Sequence, residues 1–379
     1  MSSAITKLIN YELNDDNEPY HIYVDLSLVN NNPAGQSVPL VFSDLRNTSL
    51  IQNPKDYFTA IVRFHIDTYG SLPAWIPQIQ TGQSDVNKTV YSFTLAYKTT
   101  VFEAFLEFIP QNVNDPVKAP TNYQDMSSQY YYIYSYQSLF QMVNNTLQSA
   151  FTGLQTAVGS GFPSTEAPFI LFDPIGKECV FNADSACYDV KNTSSPIYIY
   201  ANNQMYNLIS GFQWNCLGEA PNGQNYQLQI YNNYGTNTYT QGDYTLLQCY
   251  EEYPSITTLS PVQCVIFTSS TIPLEPTIVS NASTFNSTTS INSSSNSATS
   301  PVLTDFTIAV DINNNYFPSI DYESPAQYRL VDLYGSGDIS NLQMGVYWKD
   351  IFNNTYPLNL PCGGSCSAKI LFRRKDFNQ

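Results

Sequence analysis

Alternation of apolar and polar side chains with a period of two opens the readable part of this chain. In "HIYVDLSLV" (His21 to Val29), Ile22, Val24, Leu26 and Leu28 face one way and Tyr23, Asp25 and Ser27 the other. That is the pattern of a strand with one buried face. "YFTAIVRFHID" (Tyr57 to Asp67) repeats it, with Phe58, Ala60, Val62, Phe64 and Ile66 on one row and Arg63 and His65 opposite. "TVYSFTLAY" (Thr89 to Tyr97) sets Tyr91, Phe93 and Leu95 against Ser92 and Thr94. Between the last two, the prolines of "SLPAWIPQI" oppose regular pairing.

The period then changes. In "SYQSLFQMVNNTLQSAFTGL" (Ser135 to Leu154), Tyr136, Leu139, Phe140, Val143, Leu147, Phe151 and Leu154 form one stripe of a 3.6-residue repeat. Ser135 is placed to cap the helix, and Gly153, Gly159 and Gly161 to end it. Short strand candidates surround it: "FEAFLEFIP", "PFILFD", "SPIYIYAN", "YQLQIYN" and "YTLLQCY". The turn-rich "APNGQN" and "YNNYGTNTYTQGD" break up this stretch. Longer strands return in "VQCVIFTSSTI", "VLTDFTIAVDI", "AQYRLVDLYG", "NLQMGVYWKD" and "SAKILFRRK".

Three strands before Lys98 and five after Ser260 make eight, the number in a jelly roll. The expected fold is therefore all-β: a single jelly roll, an eight-stranded β-sandwich, with a large β-rich insertion carrying one helix between strands D and E. The expected divisions are 1–97 for strands B to D, 98–261 for the insertion and 262–379 for strands E to I. The tract "SNASTFNSTTSINSSSNSATSP" (Ser280 to Pro301) then becomes a loop inside one fold, expected to be disordered because it holds too little apolar surface to order itself.

Composition narrows the function. Charged residues make up 12% and aromatics 14%, with 30 tyrosines, which suits broad half-wet contact surfaces. The net charge of −16 disfavours nucleic acid, whose phosphates need Lys and Arg. A local exception is "KILFRRK" (Lys369 to Lys375), read either as a last strand with a solvated basic edge or as a polyanion contact. The N-terminus has no apolar signal core, and no stretch reaches the roughly 18 apolar residues of a membrane span, so the protein is expected to be made in the cytosol.

No G-x-S-x-G, P-loop, dinucleotide glycine fingerprint or H-E-x-x-H is present. The two histidines, His21 and His65, both fall in strand patterns, and the Asp15–Asp16 and Glu251–Glu252 pairs are adjacent, so their side chains diverge in a strand. An enzyme is not expected, and no catalytic, cofactor or metal residue is assigned. Seven cysteines in a reducing compartment are expected as free thiols. "CGGSC" (Cys362 to Cys366) reads as a Gly-rich turn, since zinc needs about four ligands; whether Cys362 and Cys366 pair stays open. Tyr130 to Tyr132 and Trp214 are candidates either for stacking on sugars or for core packing.

The C-terminal pieces "VIFTSSTIPLEP", "LTDFTIAVD" and "AQYRLVDLYGSGDISNLQMGVYWKDIFNNTYPLNLPCGGSCSAKILFRRK" resemble the penton (minor capsid) proteins of virophages and polinton-type viruses, Sputnik-type virophage pentons above all. Upstream, "IVRFHIDTYGSLPAWIPQI" and "YYYIYSYQSLFQMVNNTLQSAF" are similar to the same family. The resemblance implies a capsid protein forming homopentamers at the fivefold vertices of an icosahedral virion, surrounded by a double-jelly-roll major capsid protein. It implies an insertion that projects outward, where host surface glycans are a possible partner, and no catalytic residues. The alternative is a jelly-roll carbohydrate- or receptor-binding module.

Overall fold

The computed structural model describes residues 7–8, 20–67, 71–78, 90–111, 128–191, 193–232, 236–242, 244–274, 301–307, 319–324, 329–351 and 354–375. The chain divides into two units, Met1–Pro73 with Pro261–Gln379, and Ala74–Ser260. The Ser/Asn tract expected as a loop lies outside the described residues except for Pro301.

Among the described residues of the first unit, eight main strands and a few short ones build two large sheets. One runs His21–Val29, Ser365–Arg374, Tyr57–Asp67, Ser319–Glu323, with Lys7–Leu8 added beside His21–Val29 and Val331–Asp332 beside Tyr57–Asp67. The other runs Val302–Thr307, Val262–Ser269, Asn341–Asp350, with Val41–Leu45 and Thr355–Pro357 sharing the far side of Asn341–Asp350. All main pairings are antiparallel. Taken in chain order, the first, eighth, third and sixth strands make one sheet and the second, seventh, fourth and fifth the other, which is the order of a jelly roll.

The sheets meet through their apolar rows. Ile22, Val24, Leu26 and Leu28 are buried, as are Leu342, Met344, Val346 and Trp348. Phe64 lies edge-on to Phe267 of the other sheet, with centroids 4.9 Å apart and planes at 81°. Phe306 stacks on Tyr322 at 4.4 Å. Offset and edge-on geometries suit the ring quadrupoles, so these aromatic pairs join the layers by more than buried area alone.

The Tyr57–Asp67 row differs from the sequence expectation. Lys369 pairs with Arg63 and Ile370 with Ile61, so Val62 is the extra residue of a β-bulge. The bulge swaps faces: Tyr57, Thr59 and Ile61 are buried before it and Phe64 and Ile66 after it, whereas Phe58 and Val62 are only half-buried.

The strand expected over Thr89–Tyr97 forms over Ser92–Tyr97 but joins neither jelly-roll sheet. It pairs with Ile197–Ala201 on one side and Thr100–Phe105 on the other, in the sheet Trp214–Cys216, Tyr226–Leu228, Ile197–Ala201, Ser92–Tyr97, Thr100–Phe105. It is buried on both faces, so its alternation carried no information about which sheet it would enter. The jelly-roll place expected for it belongs to Val41–Leu45, in which Phe42 is buried.

A second sheet of the Ala74–Ser260 unit runs Thr236–Gln241, Tyr244–Tyr250, Glu178–Asp184, Phe169–Asp173. The expected helix spans Tyr136–Val158 and packs on Ser92–Tyr97, Thr100–Phe105 and Phe169–Asp173. All seven stripe residues are buried. Ser135 occupies the N-cap with extended backbone, but its side chain makes no capping bond; Gln111 Oε1 instead accepts from the amides of Tyr134 and Ser135. Gly159, at φ 73°, ends the helix, a conformation that glycine adopts without steric cost.

Candidate interaction surfaces

Among the described residues no group of three or more His, Cys, Asp or Glu side chains is placed to hold a metal ion. His65 Nδ1 lies 2.7 Å from Asp321 Oδ1, with Asp67 3.8 Å from its other ring nitrogen. Asp321 is the cross-strand partner of His65, so the pair follows directly from register on the outer face of the sheet.

All seven cysteines are free. Cys366 is buried, whereas Cys362 is exposed on the turn before it, so the two side chains lie in different surroundings. That turn is held by Asn30, which is 2% exposed. Asn30 Nδ2 donates to Gln36 O (2.8 Å) and Leu360 O (2.9 Å), and its Oδ1 accepts from Asn32 N (3.0 Å). Its backbone exchanges bonds with Gly363 and Gly364. Burial pushes the Cys249 thiol up to about 12 and the Cys187 thiol up to about 11, so neither is a ready thiolate.

The basic stretch at the C-terminus is not an edge. Ser365–Arg374 is central in its sheet, paired on both sides. Lys369 Nζ is 3.7 Å from Asp25 Oδ2 and 5.5 Å from the Tyr23 ring centroid, and Lys375 Nζ is 2.7 Å from Asp332 Oδ1. Carboxylates on neighbouring strands thus offset part of its charge. Among the described residues of the other sheet, Val41–Leu45 and Val302–Thr307 are strands paired on one side only, and in the first Val41 is 38% and Leu45 77% exposed.

The second unit holds a buried carboxylate. Glu251 Oε2 accepts from Cys179 N (2.8 Å) and Oε1 from Ser255 N (3.3 Å), and Ser255 Oγ in turn accepts from Gly211 N (2.8 Å). Desolvation raises its pKa, partly opposed by the bonds from Ser255 and Cys179. This network ties the start of one strand to two loops.

The two aromatic candidates separate. Tyr131 and Tyr132 are 2% and 1% exposed and belong to the core. Trp214 is half-buried and stands edge-on to Tyr206 at 5.9 Å, while Tyr206 stacks on Tyr226 at 3.9 Å with planes 6° apart. The Trp214 indole donates to Ile209 O (3.1 Å), and the 48%-exposed Tyr253 donates its hydroxyl to Ser210 O (3.0 Å). Tyr206 and Tyr226, contributed by a short helix and by a strand, carried no sequence signal that would group them with Trp214. No helix among the described residues is long and apolar enough to cross a membrane.

The chain is similar to proteins of virophages. The family model described as Sputnik minor capsid protein V18/19 matches residues 22–374. Uncharacterized protein V18 of Sputnik virophage is 33% identical over 162 residues, 41% of this chain and 96% of that protein. Structural protein V19 of Sputnik virophage is 26% identical over 203 residues, 52% of this chain and 89% of that protein. In three dimensions the chain is similar to a chain of the Sputnik virophage structure from electron cryo-microscopy, with TM-score 0.71 and 26% identity, over 99% of this chain and 98% of that one. The mavirus penton protein in its crystal structure shares the fold, with TM-score 0.60 and 16% identity, over 93% of this chain and 99% of that one.

Proposed function

The chain belongs to the Sputnik minor capsid protein V18/19 family, and from that premise we propose that it is a virophage penton: a capsid protein that forms homopentamers at the fivefold vertices of the particle. The family and the structural neighbours are virion structural proteins, not enzymes. The observation that carries the reading is the extent of the likeness, since the family match spans both the jelly roll and the unit inserted in it.

Physical features of the first unit support a ring. A jelly roll in isolation leaves edge strands unpaired, and closed symmetric assembly converts such edges into interfaces. The Val41–Leu45 edge, with Leu45 largely exposed, is a natural lateral contact between copies. In the pentamer the surrounding partner would be a double-jelly-roll major capsid protein.

The inserted unit would serve the particle exterior. Val29 pairs with Ser365, Ile66 with Cys366, and Ser319 with Asp67, so the chain leaves the third strand at the jelly-roll end that also carries the Asn30 and Gly363 turns. Val262, where the chain returns, pairs with Asp350, at the start of the connection leading to Ser365. The chain therefore leaves and re-enters the first unit at the same end of the sandwich.

Light scattering after size exclusion tests the oligomer. The expected mass is five times the 42.6 kDa protomer, falling to one protomer in Leu45→Lys. A stable dimer or trimer would contradict the penton reading. A second reading, a carbohydrate- or receptor-binding jelly-roll protein, is favoured by the half-exposed rings around Trp214, and the two roles are compatible.

A further inference from the structure

We infer that Trp214, Tyr206, Tyr226 and Tyr253 form a preassembled binding platform for a neutral oligosaccharide. The inference does not depend on the vertex assignment, because the platform lies within one unit of one chain.

Three observations carry it. The first is geometric. Tyr206 is sandwiched between a parallel contact to Tyr226 and an edge contact to Trp214, and all three rings are half-buried rather than buried. Tyr253 and Cys216, both exposed, lie close enough to Tyr206 to raise its phenol electrostatically, after the larger effect of desolvation. The rings come from a short helix (Asn203–Leu208), the edge strand Trp214–Cys216, its neighbour Tyr226–Leu228 and a loop, and all are half-buried or exposed, so they form a surface cluster and not a core row.

The second is rigidity. The Trp214 indole and the Tyr253 hydroxyl are spent on the backbone carbonyls of Ile209 and Ser210. Those bonds fix the ring planes before any ligand arrives, and a preformed apolar surface loses little conformational freedom on binding. Aromatic rings present a flat apolar face that matches the C–H face of a pyranose.

The third is the chemistry of the surroundings. Between Ala201 and Gly242 the sequence holds a single charged side chain, Glu219, but is dense in Asn and Gln. Side-chain amides donate and accept, as sugar hydroxyls require. Asn203, Asn207 and Gln213 are exposed close to the rings in sequence. An anionic sugar would call for Arg or Lys to pair its carboxylate or sulfate. This segment supplies none, and the exposed carboxylate of Glu252 beside Tyr253 would repel it. The expected ligand is therefore uncharged.

The protein carries its own probe. Of its three tryptophans, Trp75 and Trp348 are buried, at 4% and 0% exposure, so Trp214 is the one a soluble sugar can reach. The experiment titrates the full chain with neutral gluco-, manno- and galacto-oligosaccharides and, separately, with sialylated and sulfated ones, reading tryptophan emission. The expected result is a saturable change with at least one neutral sugar and none with the anionic ones. Tyr226→Ala should weaken that binding roughly tenfold, as expected for loss of one stacked ring. Cys216→Arg, a change at an exposed strand position that leaves the core untouched, should do the same by placing a bulky charge beside Tyr206. The inference is overturned if no neutral sugar shifts the emission, if only anionic sugars do, or if both folded variants bind as the parent does. It is also overturned if the variants change only the oligomer mass, which would make the platform a contact between copies.

Discussion

Replacing Phe64 with Ala probes the joint between the two jelly-roll sheets. The Phe64 ring is fully buried, edge-on to Phe267 at 4.9 Å and 6.1 Å from Phe306. Its strand lies in one sheet and both partners in the other, so its removal empties the middle of the sandwich. Truncating a buried Phe to Ala costs about 3–5 kcal/mol, and the lost aromatic pair places this site near the upper half of that range. In a unit of this size each kcal/mol lowers the melting temperature by about 2–4 °C, so the expected fall is roughly 8–20 °C. Differential scanning calorimetry is the suitable assay because a chain of two units can melt in two steps, and the loss should fall on one of them. Phe105→Ala, at a 40%-exposed position in the other unit, is the control and should change stability by about 0.5 kcal/mol or less. If Phe64→Ala shifts no transition by more than this control does, the sheets are not joined through these rings and the sandwich packing described above is wrong.

Other consequences follow from individual contacts. Asn30→Ala removes three side-chain hydrogen bonds, to Gln36 O, Leu360 O and Asn32 N, and should cost about 1–3 kcal/mol in denaturant unfolding, as expected when buried partners lose their mates. Gly211→Ala would set a Cβ 2.2 Å from the backbone oxygen of Tyr253, so the loop must shift, and a loss of about 1–3 kcal/mol is expected from thermal melts. Glu251 has a pKa raised by burial, so the folded state holds its proton more tightly than the unfolded state. Its contribution to stability is fully present below the unfolded value of about 4.3 and is lost as pH rises through the folded value. Melting of the parent from acid toward neutral pH should show that decline, and Glu251→Gln should flatten it; an unchanged pH profile in the variant would contradict the assignment.

The sequence was most readable where one face of a strand is buried and the other wet. His21–Val29 and Asn341–Asp350 are of that kind, and their alternating rows are the rows that meet in the sandwich. Tyr57–Asp67 was recognised as a strand, but its facing was not, because a bulge at Val62 shifts the phase within an otherwise regular pattern. Val41–Leu45 and Ser319–Glu323 gave little signal: the first has Phe42 as its one fully buried residue, and the second is rich in polar residues and draws its place from pairing with Tyr57–Asp67. The helix was legible nearly whole, since its stripe covers five turns and packs on strands of its own unit. Trp214 was visible as a candidate because tryptophan is rare here, but its neighbours Tyr206, Tyr226 and Tyr253 are three of thirty tyrosines, and only the tertiary structure groups them with it.

The central claim is the place of this protein in the particle, and a reconstruction of purified virions by electron cryo-microscopy tests it most directly. Localised averaging at the fivefold positions should show five copies of the jelly roll around the axis, with density for the Ala74–Ser260 unit on the outer side. Vertices filled by a different fold, or this chain found only away from the fivefold axes, would contradict the account.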